Sequence, residues 1–262
     1  AMTAYLPLRG SSVIDSLVMD GRCVGGHGTL ICSVQDAATQ PNKVNSYTAT
    51  VDSTVLERQG KVRVVVKLCG HYAKGKLPFT LRLYFYAGSA EVRMVHSFIY
   101  DGDQDHDFIA SLGMRFAVPM REQPYNRHVA FATDGGGVWS ESVQPLSGRR
   151  ILTKGDDTSF EAQQVEGRRI PEPNAFDVKN QSLLKHWAVW GSFRLSKTSD
   201  EGFAVRKRTH ADRPWIGTYS GRHADGYAFV GDVSGGLAVA VKDFWQSYPA
   251  TLQVDSANTA SA

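Results

Sequence analysis

Tyr125, Arg127 and His128 lie close together in the stretch YNRHVAFATDGGGVW, residues 125–139. An arginine can hold a carboxylate with two parallel N–H donors. A histidine accepts or gives a proton near neutral pH. A tyrosine can hand a proton to a departing oxygen. These are the tasks of β-elimination beside a uronate: neutralise the carboxylate, remove the proton next to it, protonate the leaving glycosidic oxygen. The same residues also suit the solvated lip of a hairpin, because exposed arginine is common. The local sequence leaves both readings open.

A second group is basic and aromatic. It comprises Lys185, His186, Trp187 and Trp190, then Arg206, Lys207, Arg208, His210, Trp215, Tyr219, Arg222, His223, Phe244, Trp245 and Tyr248. Sugars stack their C–H faces on aromatic rings, and uronates attract cations, so this mixture suits an acidic glycan. In VRKRTH (205–210), strand alternation puts Arg206 and Arg208 on one face, a narrower signal than scattered arginine. Each aromatic taken singly can equally be core.

Two weaker constellations remain. His71 and Tyr72 follow the run KVRVVVKL and could act as base and acid or touch substrate. Adjacent strand residues point to opposite faces, however, and a surface histidine beside a packed tyrosine is the plainer reading. Asp101, Asp103, Asp105 and Asp107 in DGDQDHD loosely resemble a calcium loop. The closing glutamate and flanking helices of an EF-hand are absent, so a solvated loop is the simpler account. No cofactor is expected, with calcium as the weak alternative. GxSxG, P-loop, HExxH and Rossmann signatures are missing, which removes support for hydrolase, nucleotide and zincin readings.

Size and composition limit the partners. The chain has 262 residues, 42% apolar, with a net charge of +3. That is enough apolar content for a packed core. The basic excess is too slight and dispersed for a nucleic-acid binder, yet it tolerates an anionic polymer. No segment approaches the roughly 20 apolar residues of a membrane span. AMTAYLPLRG lacks the apolar core of a signal peptide, and Ala1-Met2 reads as the remnant of a cleaved tag. Cys23, Cys32 and Cys69 fit neither CxxC nor a zinc set; they read as buried thiols in strands, with one disulfide plus a free thiol as the alternative.

The chain reads as strands almost throughout. KVRVVVKL (61–68), FTLRLYFY (79–86) and EVRMVHSFIY (91–100) are β-branched or alternating, and Ala87-Gly88-Ser89 joins the last two as a hairpin. LGMRFAVPM (112–120) and HVAFAT (128–133) continue the pattern, with Pro119 near a strand end. Residues 140–180 read as long loops holding SGRR, KGDD, EGRR and PEPN. WAVWGSFRLSKT, GFAVRKRT, GYAFVGD and GGLAVAVKDFW restore the rhythm, and only SLLKHW (182–187) and the tail of the last segment suggest helical turns. With no repeat and no linker, the expectation is one all-β domain. It would be a large antiparallel, supersandwich-like β-sandwich over 14–262, preceded by a lead-in over 1–13.

Five fragments occur in a telling order: PFTLRLYFYAGSAEVRMVHSFIYDGD, FIASLGMRFAVPM, NRHVAF with GGGVWSE, FAVRKRT, and GDVSGGLAVAVKDFWQSYP. Together they resemble the exo-rhamnogalacturonan lyase family of polysaccharide lyases, from about Ile14 to the end of the chain. The resemblance implies a three-part parent: an N-terminal barrel-like β-domain, a central β-sandwich and a C-terminal α/α toroid. This chain matches the central part. Lyases of this build place their cleft between sandwich and toroid, which favours Arg127 and His128 in the NRHV motif. The family pattern differs at Cys69, so no role is inherited there.

The resulting expectation is a sandwich domain of a carbon–oxygen lyase that degrades a pectin-like, rhamnogalacturonan-type glycan by β-elimination. Arg127 would neutralise the carboxylate, His128 would be the base and Tyr125, or a tyrosine of another domain, the acid. Arg206, Lys207, Arg208, His71, Tyr72, Trp187, Trp215, Arg222 and Trp245 would bind substrate. Its partners would be an acidic polysaccharide and the parent's other domains, with neither nucleic acid nor membrane. The parent would be secreted or periplasmic, and the isolated domain could lack activity. A non-catalytic carbohydrate-binding sandwich, or one with a purely structural role, is the alternative.

Overall fold

The computed structural model describes residues 1–39, 41, 43–72, 76–146, 160–176 and 178–259. The loops expected around SGRR and KGDD lie outside them. Packing separates the chain into two compact units, Ala1–Ala117 and Val118–Ala262. Each is built from antiparallel sheets, and the chain is a β-sandwich protein.

The first unit runs through Met2–Tyr5 (β1), Ile14–Met19 (β2), Arg22–Asp36 (β3), Lys43–Thr48 (β4), Thr50–Gln59 (β5), Arg63–His71 (β6), Phe79–Tyr86 (β7), Val92–Phe98 (β8) and Asp107–Ala117 (β9). One sheet has the order β1-β2-β3-β4, with β9 also paired to β3; the other is β5-β6-β7-β8. The segment expected as a lead-in therefore contributes a strand, pairing Met2 with Met19. The β7–β8 hairpin forms as its sequence predicts, with Gly88 taking the positive φ (78°) its turn needs. Leu81 and Leu83 are fully buried on β7, beside Leu68 on β6. Strand β6 does not break at Cys69-Gly70. Gly70 lacks the Cβ that would meet Thr50 O at 2.0 Å, so the strand continues tightly against β5 to His71. All three cysteines are free and lie in strands, Cys32 buried, Cys23 and Cys69 half-buried.

The second unit holds Arg127–Ala132 (β10), Val138–Ser142 (β11), Phe160–Val165 (α1), Val178–Leu184 (α2), Ser192–Lys197 (β12), Phe203–Arg208 (β13), Ile216–Gly221 (β14), Gly226–Asp232 (β15), Gly235–Val241 (β16) and Ala250–Val254 (β17). Its sheets are β11-β10-β15-β16 and β14-β13-β12-β17. Alternation turns Val129 and Phe131 of the first toward Phe193, Leu195, Phe203 and Val205 of the second, forming one core. Phe193 is fully buried there against Trp139, and truncating it to alanine would cost about 3–5 kcal/mol. A smaller core of Tyr125, Leu146, Phe160, Ile170, Phe176, Leu184 and Trp187 forms where α1 and α2 lie against the chain entering β10. Gln164 of α1 locks it by donating to the carbonyls of Tyr125 (2.7 Å) and Gln144 (3.1 Å).

Two polar devices fix the loops of this unit. Lys197 is fully buried, and its Nζ donates to the carbonyls of Asp200 (3.2 Å) and Arg222 (2.9 Å). Asp134, in the DGGG turn, accepts from the backbone N–H groups of Arg222 (3.0 Å) and His223 (2.6 Å). Gly221 sits so close that a Cβ would meet Asp134 Oδ2 at 1.7 Å.

Candidate functional site

Arg127 and His128 do not converge. Arg127 shares its face of β10 with Val129 and Phe131 and is 4% exposed. Its Nε donates to Glu122 O (2.8 Å), and its Nη1 to Ala257 O (2.9 Å) and Thr259 O. A guanidinium spent on carbonyls inside the sandwich cannot clamp a substrate carboxylate, which corrects the expectation for Arg127. His128 leaves through the other face, beside the Gln164 backbone of α1. Burial pulls its imidazole pKa down, partly offset by that backbone contact. Its Nε2 is buried without a hydrogen-bond partner among the described residues. Tyr125 is 2% exposed, donates to Pro171 O (2.8 Å), and burial pushes its phenol pKa up. It is a core residue rather than an accessible acid, and so is Trp187, 7% exposed in the same small core. Both expectations are corrected by burial.

His71 and Tyr72 diverge too. His71 pairs with Asp52 Oδ2 at 2.9 Å, whereas buried Tyr72 points its hydroxyl at His96 Nε2, 3.1 Å away, among Phe79 and His96 rings. In the Asp-rich loop, Asp101 accepts from Leu77 N (2.6 Å), and Asp103 accepts from Asp105 N (2.9 Å) and pairs with His106 (2.9 Å). Asp101 thus ties the loop to Leu77, while Asp103 and Asp107 cap the loop's own donors. Among the described residues no group of three or more acids, cysteines or histidines is placed to hold a metal. The calcium-loop alternative is not what this geometry builds.

The outward stripe of β13 is the feature that converges. Arg206 and Arg208 alternate with inward Val205, and Arg194 of β12 stands directly opposite Arg206 in the ladder. The Arg194 and Arg208 guanidinium carbons each lie 4.4 Å from the Trp215 ring centre. A ring quadrupole attracts both cations and holds like charges together that would otherwise separate. Burial and the charges of Arg206 and Arg208 pull the Arg194 pKa down, with Asp255 opposing. Asp255 itself is tied to Gln253 (2.7 Å), the residue paired with Arg194 on the other side. Arg208 donates to Ala211 O (2.7 Å), while the Nε atoms of Arg194 and Arg208 are buried and unpartnered among the described residues.

Across from Arg206 stands Gly217 of the edge strand β14, with open space where a side chain would go. The β13–β14 register shifts between Val205 and Arg206, where β14 carries Thr218 as the extra residue of a bulge. No carboxylate among the described residues forms an ion pair with Arg194, Arg206 or Arg208. The stripe thus keeps guanidinium donors without a carboxylate partner among the described residues. Arg194 is the member that sequence reasoning missed; FRLSK offered only one arginine among apolar neighbours.

Lys207 is different from its neighbours. It turns to the other side of β13, forms an ion pair with Glu141 of β11, and lies 4.0 Å from the Trp190 ring centre. It joins the two sheets rather than the exposed stripe, which corrects its expected binding role. Trp245 stacks on His223 at 4.2 Å, and Arg222 is exposed beside it.

The central β-sandwich domain described for PcRGLX-like proteins matches residues 1–262, the whole chain. The chain belongs to this family. The match agrees with the rhamnogalacturonan lyase-like resemblance carried by the five fragments, and this PcRGLX-like domain is thus a sandwich of rhamnogalacturonan lyase-like proteins. An uncharacterized protein, YetA, of Bacillus subtilis (strain 168) is 27% identical over 266 residues, covering 97% of this chain and 30% of that protein. The chain spans less than a third of the length of this curated relative.

Proposed function

We propose that this PcRGLX-like domain is the glycan-holding sandwich of an exported polysaccharide lyase. The parent cleaves a uronate-containing, rhamnogalacturonan-like polymer by β-elimination. The observation that carries this reading is the pair Arg194 and Arg208 over Trp215, with Arg206 opposite Arg194 in the ladder and no carboxylate among the described residues in an ion pair with any of the three. A uronate supplies the missing partner, and a two-pronged arginine–carboxylate pair is the strongest contact such donors make.

The chemistry assigns a defined part to these groups. In β-elimination the proton at C5 of the uronate leaves to a base, and its electron pair becomes the C4–C5 double bond. The C4–O bond breaks, and the departing oxygen takes a proton from an acid. Neutralising the carboxylate lowers the cost of charge that develops at C5, as fixed positive charge does at an enolate. Arg206 and Arg208 supply that neutralisation, with Arg194 behind them. The base and acid come from the parent's other domains, because the Tyr125 hydroxyl is spent on Pro171 O in the small core and His128 is turned against α1.

The test has two arms. In calorimetry, the chain binds rhamnogalacturonan oligosaccharides, and the carboxyl-reduced oligosaccharide binds at least tenfold more weakly, since a charged hydrogen bond contributes about 1.5–3 kcal/mol. In the full-length parent, Arg206→Ala with Arg208→Ala lowers the rise in ultraviolet absorbance of unsaturated uronate. Equal affinity for both oligosaccharides, or an unchanged rate, would overturn the reading. Binding by the chain with no absorbance change from the parent favours a carbohydrate-binding sandwich instead.

A further inference from the structure

The first unit carries a second cation–aromatic–cation set, on the β5-β6-β7-β8 sheet. The guanidinium carbons of Arg63 (β6) and Arg93 (β8) lie 5.9 and 5.7 Å from the Tyr84 ring centre (β7). The ladder explains why they meet. Val65, Tyr84 and Arg93 form one row across three strands, and Arg63 lies one step diagonal to Tyr84. These residues are on the face opposite buried Leu68, Leu81 and Leu83. Both arginines are exposed, and neither has an ion-pair partner among the described residues.

Lys67 and Arg82 occupy the next row of the same face, with Val95. Arg82 is already engaged by Glu57 through two hydrogen bonds, 2.8 and 3.0 Å. That pairing is why the Glu57 carboxyl is held below its ordinary range. Glu91, in the turn before β8, makes no ion pair with either free arginine. The face therefore holds surplus positive charge around one half-exposed ring, and it repeats the pattern of Arg194, Trp215 and Arg208 in an independent unit.

We propose that Arg63, Tyr84 and Arg93, with Lys67, form a second binding site for an acidic oligosaccharide on the first unit. Charge complementarity selects the occupant: spaced guanidinium forks suit the spaced carboxylates of a polyuronate. The proposal takes its ligand class from the function inferred for the second unit, and is tested so that the two can fail separately.

The probe is trigalacturonate titrated into the whole chain by calorimetry. The wild-type chain binds about two molecules, as independent sites in the two units require. Arg63→Ala with Arg93→Ala leaves one, with the thermal midpoint unchanged because both side chains are exposed. Arg206→Ala with Arg208→Ala also leaves one. A single site in the wild type that survives Arg63→Ala with Arg93→Ala overturns this proposal and leaves the second-unit reading intact. If instead only the Arg63 and Arg93 variants lose binding, the second-unit reading falls and this one stands. Polyphosphate is the control: if it binds as tightly and is lost to the same variants, the face is an unselective cation patch and the proposal is overturned.

Discussion

Arg127 and His128 are consecutive in β10, and their side chains leave the sheet through opposite faces. Arg127 ties the sandwich interior to the backbone of Ala257 and Thr259, while His128 meets the α1 side. A two-residue period makes this unavoidable in a regular strand, and it separates two groups whose adjacency in sequence suggests partnership.

Arg127→Ala should therefore destabilise the protein without touching glycan affinity. Its guanidinium answers three carbonyls through one buried and two half-buried hydrogen bonds, and losing charged hydrogen bonds costs about 2–4 kcal/mol in such a site. Urea unfolding reads the loss. A variant as stable as wild type but weaker in oligosaccharide binding would return Arg127 to the binding site.

Stability should fall as the solution becomes mildly acidic. Burial pulls the pKa values of His128 and His96 below the ordinary histidine value. The unfolded chain then binds more protons than the folded one below about pH 6.5, so stability is full above that value and is lost as pH drops through it. His106 acts in the opposite sense, because Asp103 raises its pKa, but it is exposed and its effect is small. The urea midpoint of wild type should drop between neutral and mildly acidic pH, and His96→Gln with His128→Gln should flatten that drop. An equally steep drop in the double variant would reassign the effect.

Asp134 and Gly221 should prove coupled. Asp134→Ala strands the N–H groups of Arg222 and His223, a loss of about 1–3 kcal/mol. Gly221→Ala drives a methyl into the Asp134 carboxylate and against Phe203. With the carboxylate gone, part of that clash disappears, so the double variant should be less destabilised than the two single changes added together. Strict additivity in denaturation experiments would contradict the contact.

Trp215→Ala should weaken acidic-oligosaccharide binding about tenfold, a change of about 1.4 kcal/mol, by releasing Arg194 and Arg208 from their shared ring. Gly217→Tyr should weaken it as well, by filling the space beside Arg206 at no cost in stability, since nothing lies within 4 Å of a Cβ there. Calorimetry and a thermal melt decide both. Undiminished affinity in Gly217→Tyr would place the ligand elsewhere.

Much of the fold was legible because it rests on alternation and turn chemistry. FTLRLYFY and EVRMVHSFIY became β7 and β8 around Gly88, and VRKRTH did point Arg206 and Arg208 the same way. What escaped was tertiary. Nothing local says that Arg127 will find the carbonyls of Ala257 and Thr259, 130 and more residues onward. SLLKHW hinted at a helix, yet α2 begins earlier, at Val178, and ends at Leu184, because Leu184 and Trp187 are drawn into the small core. Arg194 was invisible as a site residue until the β12–β13 register set it opposite Arg206.

The three cations of β13 also carry a lesson about order. Arg206 and Arg208 face outward, and Lys207 between them fastens β13 to Glu141 of β11. Reordering this trio as Arg-Arg-Lys keeps composition, charge and strand preference untouched. It would nevertheless press a broad, forked group into a slot shaped for a slim ammonium beside Trp190, and leave a point charge where the outer face presents a fork. The segment works as an ordered word rather than a basic patch, and its spelling is what joins the sandwich's two layers to the charge displayed on one of them.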